Sequence, residues 1–100
     1  MSKVIFTVQY EIKAEKREEY INSIKELKLL IKPEGMESYS VYEIKGKPNN
    51  FQEIYVFSSE DAYEAYEDSL DERTNLLISK ITEMTIKQSS KYLTLVEVEL

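Results

Sequence analysis

Histidine, cysteine and tryptophan are all absent from this chain, while tyrosine occurs eight times against three phenylalanines. Phenols and carboxylates are therefore the groups that stand out. There is no imidazole to shuttle protons near neutrality, no thiol nucleophile, and neither of the commonest soft metal ligands. Glu53 stands out because it sits in the middle of the strand-like run FQEIYVF, where an acid is disfavoured by propensity. Enclosed in a cavity it would serve as a general acid or base; on a subunit seam it would pair with a lysine or cap a backbone group. Tyr10, Tyr39, Tyr63 and Tyr66 fall on faces that converge between a sheet and the helix after Ser58. They could line a slot for a flat aromatic or quinone-like ligand, or form a core whose hydroxyls reach water and backbone carbonyls. The acidic run from Glu60 to Glu72 lacks the spacing of a calcium loop and reads as a solvated helix face, so no metal is expected. With only two glycines, neither a phosphate-cradling loop nor a nucleophile elbow is present.

The elements that position these groups follow from periodicity. Val4 to Ile12 alternates, with Val4, Phe6, Val8, Tyr10 and Ile12 on one face, as a strand with one buried side does. Ala14 to Lys32 carries Tyr20, Ile24, Leu27 and Ile31 on one helical stripe, and Lys32-Pro33-Glu34-Gly35 stops it. Met36 to Ile44 is a second strand, with Tyr39 and Val41 on one face. Gly46 to Asn50 turns a hairpin into a third strand, Gln52 to Phe57, which has Glu53, Tyr55 and Phe57 on one side. Ser58, with Asp61 three residues on, is expected to cap a short helix, and Ser69 with Glu72 to cap another starting at Leu70. The alternating tail from Tyr92 to Leu100 ends the chain as a strand.

This order is βαββαβ with an extra helical piece, the pattern of an α+β ferredoxin-like plait: a four-stranded antiparallel sheet with helices on one face. Ile5, Tyr42, Ile44 or Phe57, Leu93 and Leu95 would leave the other face apolar, and a second copy packed sheet to sheet, a homodimer, would cover it. One hundred residues make one domain spanning 1–100, with no run of apolar residues long enough for a membrane span. Met1 to Lys3 leads straight into a strand, so no signal peptide is expected and the cytoplasm is the default location. A net charge of -6 with scattered basic residues opposes nucleic-acid binding and makes an anionic substrate a special case.

The run Pro33-Glu34-Gly35-Met36-Glu37-Ser38-Tyr39 resembles an "EPG...Y" motif leading into strand two. Glu53 to Phe57 followed by Ser59-Glu60-Asp61-Ala62 resembles an "E-x-W-x-S-x-E-A" passage. Both are features of the dimeric α+β barrel proteins, specifically the antibiotic-biosynthesis-monooxygenase-like group that includes quinol monooxygenases and haem-degrading monooxygenases. The resemblance covers nearly the whole chain and implies a homodimeric barrel binding a small aromatic or apolar molecule, with cofactor-independent oxygenation as its chemistry. It places Glu53 and Tyr66 as the residues that position or deprotonate the substrate, with Tyr10, Tyr39 and Tyr63 as walls. Three positions depart from the haem-degrading pattern: Tyr10 replaces an asparagine, Phe57 a tryptophan, and Leu76 or a neighbour the haem-ligating histidine. The resemblance therefore implies no haem and no other cofactor. The same departures leave open a non-catalytic ligand-binding or assembly module.

Overall fold

A computed structural model describes residues 2–31, 34–66, 68 and 70–100. Strand β1 (Val4–Glu11) leads through a 3-10 turn at Ala14–Lys16 into helix α1 (Arg17–Leu30). Strands β2 (Met36–Glu43) and β3 (Asn50–Phe57) follow, then helices α2 (Glu60–Ala65) and α3 (Glu72–Met84), and strand β4 (Lys91–Val96). The sheet order is β2-β3-β1-β4, with each neighbouring pair antiparallel. This is the ferredoxin-like plait, with the helices on one face.

Register decides which side chains share that face. β1 pairs with β3 so that Val4 lies opposite Phe57, Phe6 opposite Tyr55, Val8 opposite Glu53 and Tyr10 opposite Phe51. β2 brings Tyr39 opposite Tyr55 and Val41 opposite Glu53, while β4 sets Tyr92 opposite Val8. Because directly paired residues point the same way, Glu53 occupies a row of otherwise apolar or aromatic residues: Val41, Glu53, Val8 and Tyr92. Under the helices this face closes into a core in which Val4, Tyr20, Leu27 and Phe57 are almost completely buried. Phe57 is therefore an inner-face residue, not one covering the open face. Outside, Ile5, Ile54 and Val56 are flanked by Tyr42, Leu93 and Leu95, which are 57%, 56% and 46% exposed.

Helix ends differ from expectation by a residue or two, for local reasons. Ser58 continues the ladder, its amide donating to Gly35 O at 2.8 Å, so Ser59 becomes the cap of α2 and accepts from Ala62 N at 3.2 Å. Gly35 is required there: its φ is +86°, and a Cβ on it would lie 2.5 Å from the Ala62 Cβ. Helix α3 starts at Glu72, capped by Asp71, which accepts from Thr74 N at 2.8 Å. The expected Ser69 cap and the Lys32-Pro33 stop lie outside the described residues. Strand β4 ends at Val96, four residues short of the expected strand, after which Glu97 N still donates to Lys3 O at 2.9 Å.

The β2–β3 hairpin is tied to α1 by Arg17. Its guanidinium grips both oxygens of Glu43, at 2.6 and 2.8 Å, reaches Asn49 Oδ1 at 3.0 Å, and lies 5.5 Å over the Phe51 ring. The Arg17 hydrogen bonds, helped by the Asn49 amide, hold the Glu43 carboxyl down to about 2. Tyr20, one turn along α1, is thereby kept against Phe51, with ring centroids 4.5 Å apart. That contact fixes one wall of the site.

Candidate functional site

Glu53 projects from mid-β3 into the space between sheet and helices and is only 5% exposed. A buried carboxylate requires hydrogen-bond donors, and here all of them are phenols. Tyr39 and Tyr55 donate to Glu53 Oε1 at 2.6 and 2.8 Å, and Tyr10 donates to Oε2 at 2.7 Å. Tyr10 Oη also lies 2.7 Å from Tyr20 Oη. Since the single Tyr10 proton goes to Glu53, Tyr20 must be the donor in that pair. The donors therefore run in one direction, from Tyr20 to Tyr10 to Glu53.

Sheet geometry explains why these residues meet. Val8 and Val41 sit directly beside Glu53, while Tyr10, Tyr39 and Tyr55 are each two residues along a strand, on the same face. A glutamate has the reach to touch those diagonal positions, and the short branched valines leave it room. The rings pack as well as bond. Tyr20 meets Tyr10 edge-on at 81°, and Tyr39 lies 4.7 Å from Tyr55, centroid to centroid. Burial pushes the phenols of Tyr10, Tyr39 and Tyr55 well above the ordinary value of 10.0, and the negative Glu53 beside them adds to the rise. Burial also raises Tyr20, partly offset by its bond to Tyr10. Among the described residues no buried side-chain polar atom lacks a partner.

Beside this cluster lies a cavity of about 450 Å³. Its sheet wall is Phe6, Val8, Tyr10, Glu53 and Tyr55, and its helix wall is Asn75, Ile78, Ile81 and Thr82 from α3 with Leu27 from α1. Tyr66 and Leu70, between α2 and α3, and Ser90 and Tyr92, approaching and within β4, contribute further surface. The size and the mixture of apolar walls with a few polar groups suit a small aromatic molecule.

Of the five residues singled out from sequence, Tyr10, Glu53 and Tyr66 line the cavity, and Tyr39 reaches it indirectly by holding Glu53. Tyr66 also packs edge-on against Tyr55 and Phe57, with centroids 5.5 Å away in both cases. Tyr63 stands apart. Its ring lies against Phe6 and Phe57, and its hydroxyl is 3.3 Å from Thr94 Oγ1. Leu76, at or near which the resemblance to haem-degrading members would put their histidine, is 64% exposed on α3 and is not part of the cavity wall. Tyr55 and Tyr20 complete the cluster and were not singled out. Tyr55 was legible as a same-face neighbour of Glu53, whereas Tyr20 showed only as part of a helix's apolar stripe.

Residues 3–73 match the family model for antibiotic biosynthesis monooxygenase. The chain belongs to the antibiotic biosynthesis monooxygenase family. The matched segment contains Glu53 and all four of its network tyrosines, while Ile78, Thr82 and Tyr92 of the cavity wall lie beyond it. No curated protein sequence matches the chain. Among solved structures, a conserved protein from Bacteroides thetaiotaomicron VPI-5482, suggested to be an oxidoreductase, is 20% identical and has a TM-score of 0.78. That match covers 96% of this chain and 98% of the other. A candidate antibiotic biosynthesis monooxygenase from Caulobacter crescentus CB15 gives a TM-score of 0.83 at 12% identity, covering 98% of this chain and 92% of its own. A variant of SnoaB, a cofactor-independent oxygenase from Streptomyces nogalater, gives 0.79 at 11% identity, over 100% and 97% of the two chains. At these identities the likeness is one of fold. Among the described residues no helix is long and apolar enough to cross a membrane.

Proposed function

We propose that this chain is a cofactor-independent monooxygenase acting on a flat, hydroxylated, quinol-like aromatic held in the cavity beside Glu53. The observation that carries the reading is the buried carboxylate lining a ligand-sized cavity in a chain of this family. Glu53 Oε2 takes the proton of the substrate hydroxyl, leaving an electron-rich anion. That anion delivers electrons to dioxygen, a carbon–oxygen bond forms at the activated ring carbon, and Glu53 returns its proton to the peroxide. Cleavage of the O–O bond with loss of the ring-carbon proton releases water and leaves a carbonyl. One oxygen atom ends in the product and one in water, the substrate supplying all four electrons. Tyr66, which also lines the cavity, positions the ring.

The test is dioxygen uptake with a panel of hydroquinones and hydroxylated polycyclic aromatics. Glu53→Gln should lower turnover by about 100-fold or more, the range of a lost general base, and Tyr66→Phe by about tenfold. Unchanged turnover in Tyr66→Phe would remove Tyr66 from the mechanism. A second reading is favoured by one observation: among the described residues every buried polar atom, those of the Glu53 cluster included, has a partner without any ligand. A non-catalytic binding or assembly module would look the same, and no uptake above buffer with any of the panel would put that reading first.

The outer sheet face supports a homodimer. Tyr42, Leu93 and Leu95, beside Ile5, Ile54 and Val56, form an apolar surface that a second copy would cover by two-fold, face-to-face packing. Sedimentation should give twice the chain mass, and Leu93→Lys with Leu95→Lys should give the monomer. A wild-type monomer at working concentration would refute the pairing.

A further inference from the structure

We propose that the cavity selects by charge, taking aromatic ligands that present a hydroxyl or amino donor to Glu53 and excluding ligands that carry an anionic group. The proposal rests on the cavity being the ligand site, but not on oxygenation. It follows from the direction of the hydrogen bonds. Both acceptor positions of Glu53 Oε1 are taken, by Tyr39 and Tyr55, whereas among the described residues Oε2 receives only Tyr10 and keeps one position. Tyr10 and Tyr55 have each committed their single proton to Glu53. A ligand atom arriving at this corner therefore meets an acceptor and must bring the proton itself.

The remaining walls offer an anion nothing in exchange for its lost water. Among the described residues no lysine or arginine lines the cavity; its other polar groups are neutral, chiefly Asn75, Thr82, Thr85 and Ser90. A carboxylate or phosphate would be desolvated next to a negative group without a counter-charge. The net charge of -6 acts in the same sense at longer range, lowering the concentration of anions near the mouth. An ammonium ligand gains instead, from Glu53 and from the aromatic faces of Phe6, Tyr66 and Tyr92.

The experiment is isothermal titration of the full chain with three matched naphthalenes bearing hydroxymethyl, aminomethyl or carboxylate groups at neutral pH. The first two should bind, and the carboxylate should bind at least about tenfold more weakly, the scale of one hydrogen bond to a charged group. Two variants sharpen the result. Glu53→Gln should narrow the difference. Asn75→Lys, at an exposed position on the α3 wall that tolerates a long side chain, should raise carboxylate affinity at least severalfold while lowering that of the amine. Equal binding of the carboxylate and hydroxymethyl compounds by the wild type would overturn the proposal, as would binding of none of the three. A series that obeys the charge rule but consumes no dioxygen contradicts the monooxygenase reading alone.

Discussion

Glu53→Leu should destabilise the fold by about 3 kcal/mol or more, enough to consume much of the 5 to 15 kcal/mol typical of a domain this size. The cost arises from what remains behind. Tyr10, Tyr39 and Tyr55 would keep buried hydroxyl protons with nowhere to donate them, and each unsatisfied group costs about 1 to 3 kcal/mol. Tyr55→Phe alone removes a donor and leaves Glu53 two others, so it should cost only about 1 kcal/mol. The decisive comparison is therefore the set of four changes together. With Tyr10, Tyr39 and Tyr55 all replaced by phenylalanine, Glu53→Leu should become nearly neutral or stabilising, because a hydrophobic core of similar volume needs no charge. Urea midpoints measure all of these, with Tyr42→Phe on the outer face as control. A Glu53→Leu variant as stable as the wild type would mean the network does not exist in solution.

Stability should also collapse above pH 10. Tyr10, Tyr20, Tyr39 and Tyr55 all hold their protons more tightly folded than the ordinary 10.0 of an unfolded phenol. The contribution of each is whole below pH 10. It is lost as the pH rises from 10 toward the raised folded values, because over that window only the unfolded chain gives up the proton. Four such groups make the slope steep, up to about 5.5 kcal/mol per pH unit at about 1.4 kcal/mol per proton. Urea denaturation at stepped pH values measures it, and the phenolate absorbance of these four should appear with unfolding, not before it. Stability that stays level for a full unit above pH 10 would contradict the burial of these phenols in the native state.

Both predictions turn on a cluster that the sequence shows only in outline. Alternation along Gln52 to Phe57 put Glu53, Tyr55 and Phe57 on one face, and alternation in β1 and β2 put Tyr10 and Tyr39 on theirs; all five point inward. The plait followed from element order, whereas alternation left Glu53 open between a cavity and a subunit seam, and it is the structure that turns it inward. What alternation cannot supply is register. That Val41 and not Tyr39 lies directly opposite Glu53 depends on where the β2–β3 hairpin turns, and that Val8 and not Tyr10 does depends on the long-range pairing of β1 with β3. Tyr20 joins from another element altogether, its place set by Arg17 holding the hairpin and by Phe51 beneath the ring. Tyr63 and Tyr66 were grouped because they lie one turn apart on a short helix. Tyr66, the residue that caps α2, lines the cavity, while Tyr63 packs over Phe6. The cavity itself is made by the docking of α3, which local pattern leaves undetermined.

The most direct test of the central claim is to supply heavy-isotope dioxygen with a hydroxylated aromatic substrate and measure the mass of the product. Monooxygenation at the Glu53 cavity predicts one heavy oxygen atom in the new carbonyl and one in water, in chelator-treated protein, with product falling by about 100-fold or more in Glu53→Gln. Product lacking the heavy atom, or formed equally well by Glu53→Gln, would contradict it.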